Sequence, residues 1–384
     1  MRVNSNQKAF LTLVKLGLWG SRNPDEWIDE TIDWDFVYQL AQEQSVQGLA
    51  LQGVEAVQNT WKKEGSPLMP KTMLLQWIGD VQMIEQKNRS MNAFIAELIN
   101  RLREDDIYAI LVKGQGVAQC YEKPLWRVCG DVDLLLSPDN FEKAYSILDS
   151  YSCITKRDTL KNIERKHKEY QIDGWTVELH GTMHANLSRK IDLVIDRVQQ
   201  DVFRGEKVRS VEFKSSGGSK IQVFLPAPDE DVLFVFTHIL QHLFLEGIGL
   251  RQICDWCRLL WTYKDSLNYG LLESRINTMG LMSEWKAFYN LANRYLGMPD
   301  LGGRLMVRDS KYDKKTDRLM AFVLKVGNFG HNRDVEWANP IKRRTSLIWH
   351  RIRDTVKLSF IFPLDAPRFL LNYVVDGVRG LVRR

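Results

Sequence analysis

Apolar residues recur at helical spacing through the first hundred positions and again beyond residue 228, while the stretch between them switches to short β-rich runs. Helices are predicted over 8–18, 34–43 and about 71–103. The last carries Met73, Leu74, Trp77, Ile78, Val81 and Ile84 on one stripe, which reads as a core-facing surface. Asp105-Asp106 ends it. Strands are predicted over 107–112, 131–136, 166–170, 175–180 and 220–225, the last after the turn Ser215-Ser216-Gly217-Gly218-Ser219. Pro226 and Pro228 then lead into a long apolar helix from Asp231 to Leu245, and Gly247 and Gly249 break the helical pattern that continues to about Tyr295. The chain divides into an N-terminal helical region over 1–105, an α/β core over 106–226, a helical domain over 227–340 and a tail over 341–384. The fold class is α+β.

The chemistry concentrates in the core. Side chains at i and i+2 of a strand share a face, so Asp131 and Asp133 of Gly130-Asp131-Val132-Asp133 can reach one cation while Val132 turns inward. Paired carboxylates suit Mg²⁺, which takes near-octahedral oxygen ligands and is commonly held by one or two carboxylates plus substrate phosphates. Upstream, the 107–112 strand ends in Lys113-Gly114-Gln115-Gly116, after which Val117 to Tyr121 can start a helix. A strand, a glycine turn and a helix N-terminus form an anion site, with Lys113 adding a full positive charge. Arg127, four residues before Asp131, can fork onto a phosphate oxygen. Glu178, flanked by Val177 and Leu179, supplies a third carboxylate on another strand. Three acids on neighbouring strands can hold two divalent ions, and one of the acids can take a proton from an incoming hydroxyl.

Lys113-Gly114, Arg127, Gly130-Asp131-Val132-Asp133 and Val177-Glu178-Leu179-His180 together resemble the ordered motifs of the uncharacterised nucleotidyltransferase family within the polymerase-β-like superfamily. Pro228-Asp229-Glu230-Asp231, His238, Gly249-Leu250-Arg251 and Asp255 resemble its helical segment, so the likeness covers roughly 100–262. Where the wider superfamily usually carries Gly-Ser or Gly-Gly, this chain has Lys113-Gly114. The resemblance implies a small mixed sheet with packed helices, and Mg²⁺ (with Mn²⁺ as a substitute) at Asp131, Asp133 and Glu178. It also implies a nucleoside triphosphate held by Lys113, Gly114, Gly130 and Arg127. His167 sits where the family tends to place a histidine, within reach of triphosphate or acceptor. The implied reaction moves a nucleoside monophosphate to a hydroxyl acceptor, whether sugar, protein or RNA. The alternative is a non-catalytic nucleotide-binding or regulatory, antitoxin-like protein on the same fold.

Other motifs add less. His180 and His184, like His238 and His242, have the i, i+4 spacing of many zinc sites, yet the first pair starts in a strand and the second lies in an apolar helix, so both read as structural. Five cysteines form no disulfide-like framework, and Cys254-Asp255-Trp256-Cys257 lies inside a helical run, where burial explains it. No N-terminal signal pattern is visible, and cytoplasm is the expected compartment. At 44% hydrophobic and 26% charged, 384 residues can bury a sizeable core. No apolar run reaches the ~20 residues needed to span a bilayer. Charge is uneven: residues 341–384 carry ten Lys or Arg against three Asp, a local net of +7 against +5 for the whole chain. That tail, with Ile348-Trp349, Phe360-Ile361-Phe362 and Phe369-Leu370-Leu371, fits peripheral membrane binding, a protein or nucleic-acid partner, or docking on its own core.

Overall fold

A computed structural model describes residues 4–20, 32–64, 69–150, 167–204, 208–302, 305–328 and 340–382; Cys153, Arg383 and Arg384 lie outside them. Four helices come first: α1 (Ser5–Trp19), α2 (Trp34–Glu43), α3 (Gln47–Glu64) and α4 (Lys71–Glu104). α1 starts three residues ahead of its apolar pattern. The Asn4 side chain accepts from the Gln7 N–H while the Gln7 side chain accepts from the Asn4 N–H, a reciprocal cap that extends the helix. α4 is about 50 Å long at 1.5 Å per residue. Its first half buries Trp77 and Val81 against the other N-terminal helices, and its second half buries Met91, Ile95 and Ile99 under the sheet. One rigid helix thus fixes the helical region to the sheet.

The sheet contains β1 (Ala109–Val112), β2 (Asp131–Leu136), β3 (His167–Ile172), β4 (Trp175–His180), β5 (Arg209–Lys214) and β6 (Lys220–Leu225) in the order β3-β4-β2-β1-β6-β5. It is mixed, as expected: β2 runs parallel to β4 and β1 parallel to β6, and the other pairs are antiparallel. β5 was not separated by its pattern, because an edge strand with only Phe213 buried carries little hydrophobic signal. Alternation assigns the faces of the central strands. Val132, Leu134, Leu136, Val177 and Leu179 pack toward α4 and α6 (Pro138–Ser150), which leaves Asp131, Asp133, Glu178 and His180 together on the opposite face.

That face looks toward the second helical set: α7 (Arg189–Arg204), α8 (Pro228–Leu245), α9 (Leu250–Thr262), α10 (Tyr269–Met279), α11 (Met282–Leu296) and α12 (Asp313–Val326). α8 begins at Pro228 rather than Asp231, since proline fits the first turn and Asp229, Glu230 and Asp231 then lie at the positive end of the helix dipole. Its core is aromatic, with Phe236, Trp256, Trp285 and Phe288 in mutual edge and tilted contacts. Cys254 and Cys257 are buried in it, and desolvation pushes both thiols up. α1–α3 share this one core with the helices that follow the sheet.

The tail forms α13 (Pro340–Ser359) and α14 (Asp365–Val382). Leu358, Phe362 and Phe369 dock it on the protein, the last two against Phe244 of α8 at 5.9 and 4.8 Å between ring centroids. Its outward side is also apolar: Ile348, Trp349, Ile352 and Val356 line one stripe of α13, and Phe360 and Leu364 beyond it are 71% and 81% exposed. No described helix is long and apolar enough to cross a membrane.

Candidate functional site

The site grows from the register of three strands. Asp133 of β2 lies directly beside Glu178 of β4, and His180 of β4 lies opposite His167 of β3. Alternation adds Asp131, two residues before Asp133, on the same face. Carboxylate oxygens of Asp131, Asp133 and Glu178 come within 4.8 Å of one another. The residues border a cavity of about 520 Å³, roofed by Phe234, His238 and His242 of α8 and by Arg251 and Asp255 of α9. That volume falls within the range of ordinary small-molecule sites.

The glycine turn is tighter than its pattern suggests. The helix begins at Gly114 rather than Val117 and lasts only to Ala118, here α5, so little macrodipole stands behind it. Lys113 caps it at φ +59°, a left-handed conformation costly for a side chain of this type, and Gly114 follows at φ +39°. A Cβ on Gly114 would meet Cys129 Sγ at 3.2 Å, so both the backbone angle and the space call for glycine. A Cβ on Gly130 would meet nothing within 4 Å, and this residue leaves the mouth of the cavity open.

The strained turn sends Lys113 across to the acids: its Nζ lies 2.8 Å from Asp133 Oδ1. His180 Nε2 reaches the same oxygen at 2.8 Å and Glu178 Oε2 at 3.4 Å. His167 Nε2 is 3.1 Å from Glu178 Oε2. Burial and the mutual charges of these side chains set the protonation of this group. The neighbouring Asp133 carboxylate, and then burial, raise Asp131, against the pull of Lys113. For Glu178, burial works upward but the His167 and His180 hydrogen bonds and the charges of His180 and Lys113 hold it below the ordinary carboxylate value. His180 is raised, since its bonds to Asp133 and Glu178 outweigh burial. Lys113 is raised as well, with burial overcome by Asp133, Glu178 and Asp131.

Arg127 stands apart from the phosphate role expected of it. Its Nε and Nη2 bind Asp255 Oδ1 and Oδ2 at 2.8 and 2.6 Å, and Nη1 donates to the Val128 carbonyl at 3.1 Å. Asp255 comes from α9, so the two ends of the sequence motif lock together and fix the loop that carries Gly130 and Asp131. Asn88 of α4 holds the other side of that loop, donating to the Leu125 and Arg127 carbonyls at 2.7 Å each.

His180, Arg251, His238 and His242 also line the cavity, beyond the site residues read from the sequence. His180 was visible in principle, two positions after Glu178 and so on its face. Arg251 donates to the Val128 carbonyl at 3.0 Å, and its buried Nε has no hydrogen-bond partner. Burial, then the nearby Arg127, lower its pKa. His238 and His242 stack edge to face with Nε2 atoms 3.0 Å apart, and His238 is pushed well below its ordinary value by burial, then by Lys113 and His242. They line the cavity instead of filling the core. His184 is directed to Asp196 of α7 at 2.6 Å, so the spacing of His180 and His184 corresponds to no shared ligand set.

The all-oxygen set of Asp131, Asp133 and Glu178 fits a hard divalent cation such as Mg²⁺ by donor chemistry and by convergence. A model of the uncharacterised nucleotidyltransferase family matches residues 30–297. The chain is also similar to a crystal structure of an antigenic nucleotidyltransferase-like protein from Paracoccidioides brasiliensis, with 14% identity and a TM-score of 0.31 over 58% of this chain and 96% of that one. Among curated proteins, none matches.

Proposed function

Because the chain belongs to the uncharacterised nucleotidyltransferase family, we propose that it moves a nucleoside monophosphate from a nucleoside triphosphate to a hydroxyl acceptor. The observation that carries this reading is the convergence of Asp131, Asp133 and Glu178 on one sheet face, beside Lys113 and beneath a cavity large enough for a nucleotide. The three acids would hold Mg²⁺ or Mn²⁺, which supplies charge neutralisation along the triphosphate. Lys113 and Arg251 bring the positive charge for the phosphate oxygens, Arg251 through the Nε that lacks a partner. The acceptor oxygen bonds to the α-phosphorus as the α–β bridging bond breaks, and pyrophosphate leaves. One of the three carboxylates, Glu178 by its place on the neighbouring strand, takes the hydroxyl proton. Catalysis then consists mainly of positioning and charge compensation.

Calorimetric titration of each nucleoside triphosphate, with and without Mg²⁺, tests this. The intact protein should bind one of them more tightly with the metal, and Asp131→Asn with Asp133→Asn should abolish that difference. Equal affinity with and without metal in the intact protein would overturn the catalytic reading in favour of a nucleotide-binding regulator.

We also infer that the outer side of α13 and α14 seats on an anionic membrane surface. Trp349, Phe360 and Leu364 are exposed beside a tail of net charge +7, the combination that interfacial helices present to lipid.

A further inference from the structure

Two donor sets meet at Glu178, and they differ in chemistry. One is the three-carboxylate group. The other is His167, Glu178 and His180, whose ligating atoms also lie within 4.8 Å of one another. We propose that this second set is a binding position for a divalent first-row transition ion of the Zn²⁺ or Co²⁺ kind, bridged through Glu178 to the oxygen-only position. The inference rests on the proposed nucleotidyltransferase reading only in sharing that carboxylate.

The backbone builds the set. β3 and β4 form an antiparallel pair in which His167 is the direct partner of His180, so both imidazoles stand on the face that carries Glu178. Their rings lie 4.8 Å apart between centroids at 39°, and both turn Nε2, not Nδ1, toward Glu178 Oε2. Two imidazole nitrogens and one carboxylate oxygen on a common point form the three-ligand arrangement of open zinc sites, with remaining positions facing a cavity. Imidazole donors favour Zn²⁺, Co²⁺ and related ions over Mg²⁺, so the two sets should sort different metals.

The other histidines lack this convergence. His242 uses Nδ1 for Glu246 at 2.9 Å and Nε2 for His238, and these atoms lie on opposite sides of the ring. His184 turns Nε2 to Asp196, a partner 47% exposed on its side chain. Among the described residues, the only groups of three or more that converge are the two sharing Glu178.

Cobalt titration with Mg²⁺ present in excess tests the proposal on the intact chain. Co²⁺ should bind with the visible absorption of nitrogen-containing, low-coordinate sites. Changing groups that merely orient a metal ligand costs about 10–100-fold in affinity, so His167→Ala and His180→Ala, which remove direct ligands, should each cost about 100-fold. Asp131→Asn should leave Co²⁺ affinity nearly unchanged. Zinc-edge X-ray absorption on the unaltered protein should show two imidazoles, a readout that stands even where a variant fails to fold. An oxygen-only zinc shell, or unchanged Co²⁺ affinity in both folded histidine variants, would overturn the proposal. Mg²⁺-dependent nucleotide binding in His167→Ala is read separately: its loss from the intact protein too would defeat the nucleotidyltransferase reading while leaving the metal position standing.

Discussion

Arg127 and Asp255 should be energetically inseparable. Their side chains are each 7% exposed, joined by two bonds, and Asp255 Oδ1 also accepts the Tyr121 hydroxyl at 2.7 Å. Removing one member of a buried ion pair costs about 3–5 kcal/mol, because the other is left charged and unpaired. Arg127→Ala leaves Asp255 with Tyr121 still donating, which points to the lower end, about 3 kcal/mol. Asp255→Ala leaves the Arg127 guanidinium with only the Val128 carbonyl and with Arg251 nearby, which points to the upper end, about 5 kcal/mol. The double variant has no orphaned member of this pair and should sit near 4 kcal/mol, about half of what additivity gives. Urea unfolding of the four proteins, compared at constant slope, measures this. Costs that add within about 0.5 kcal/mol would refute the coupling. A fully stable Arg127→Ala that had lost only nucleotide affinity would return Arg127 to the phosphate role its sequence position suggested.

Gly114→Ala should destabilise by about 1–2 kcal/mol in thermal unfolding, since φ is +39° and Cys129 Sγ blocks the new methyl; no loss would mean the turn relaxes freely. Glu284, wholly buried in α11, is pushed up to about 8 by burial and then by Asp365. Its folded value exceeds the unfolded one, so the folded state binds the extra proton and stability falls as pH rises from about 4.5 to about 8. Glu284→Gln should remove that slope from melting temperature against pH, and an identical slope would refute it. Phe360→Glu with Leu364→Glu should abolish sedimentation with phosphatidylcholine vesicles containing phosphatidylglycerol, leaving the melting temperature near that of the intact protein; failure of the unaltered chain to bind such vesicles, or self-association in size exclusion, would count against the membrane assignment.

Local pattern was enough for elements whose faces differ in polarity. β2, β4 and β6 fall where alternation and apolar runs put them, and Asp131 and Asp133 share a face because a strand's period is two. The same rule contained His180, at i+2 from Glu178, although its i, i+4 spacing to His184 was the more conspicuous feature. α5 began early because a strained Lys113 backbone, which no propensity reveals, starts the helix at Gly114. β5 escaped because an edge strand buries too little to mark itself.

What the sequence by itself determined is the order of parts and the supply of charge: three acids on strands, a lysine at a glycine turn, and a basic apolar tail. Local geometry is set by neighbours along the chain, so short-range spacing contains it. The tertiary structure decided which charges face which. Arg127 is 128 positions from Asp255, and His167 reaches His180 only through strand pairing; the choice between a phosphate ligand and a buried ion pair depends on what comes within about 3 Å after packing. Those distances belong to the assembled sheet and helices, where burial makes every unpaired charge costly enough to select its partner.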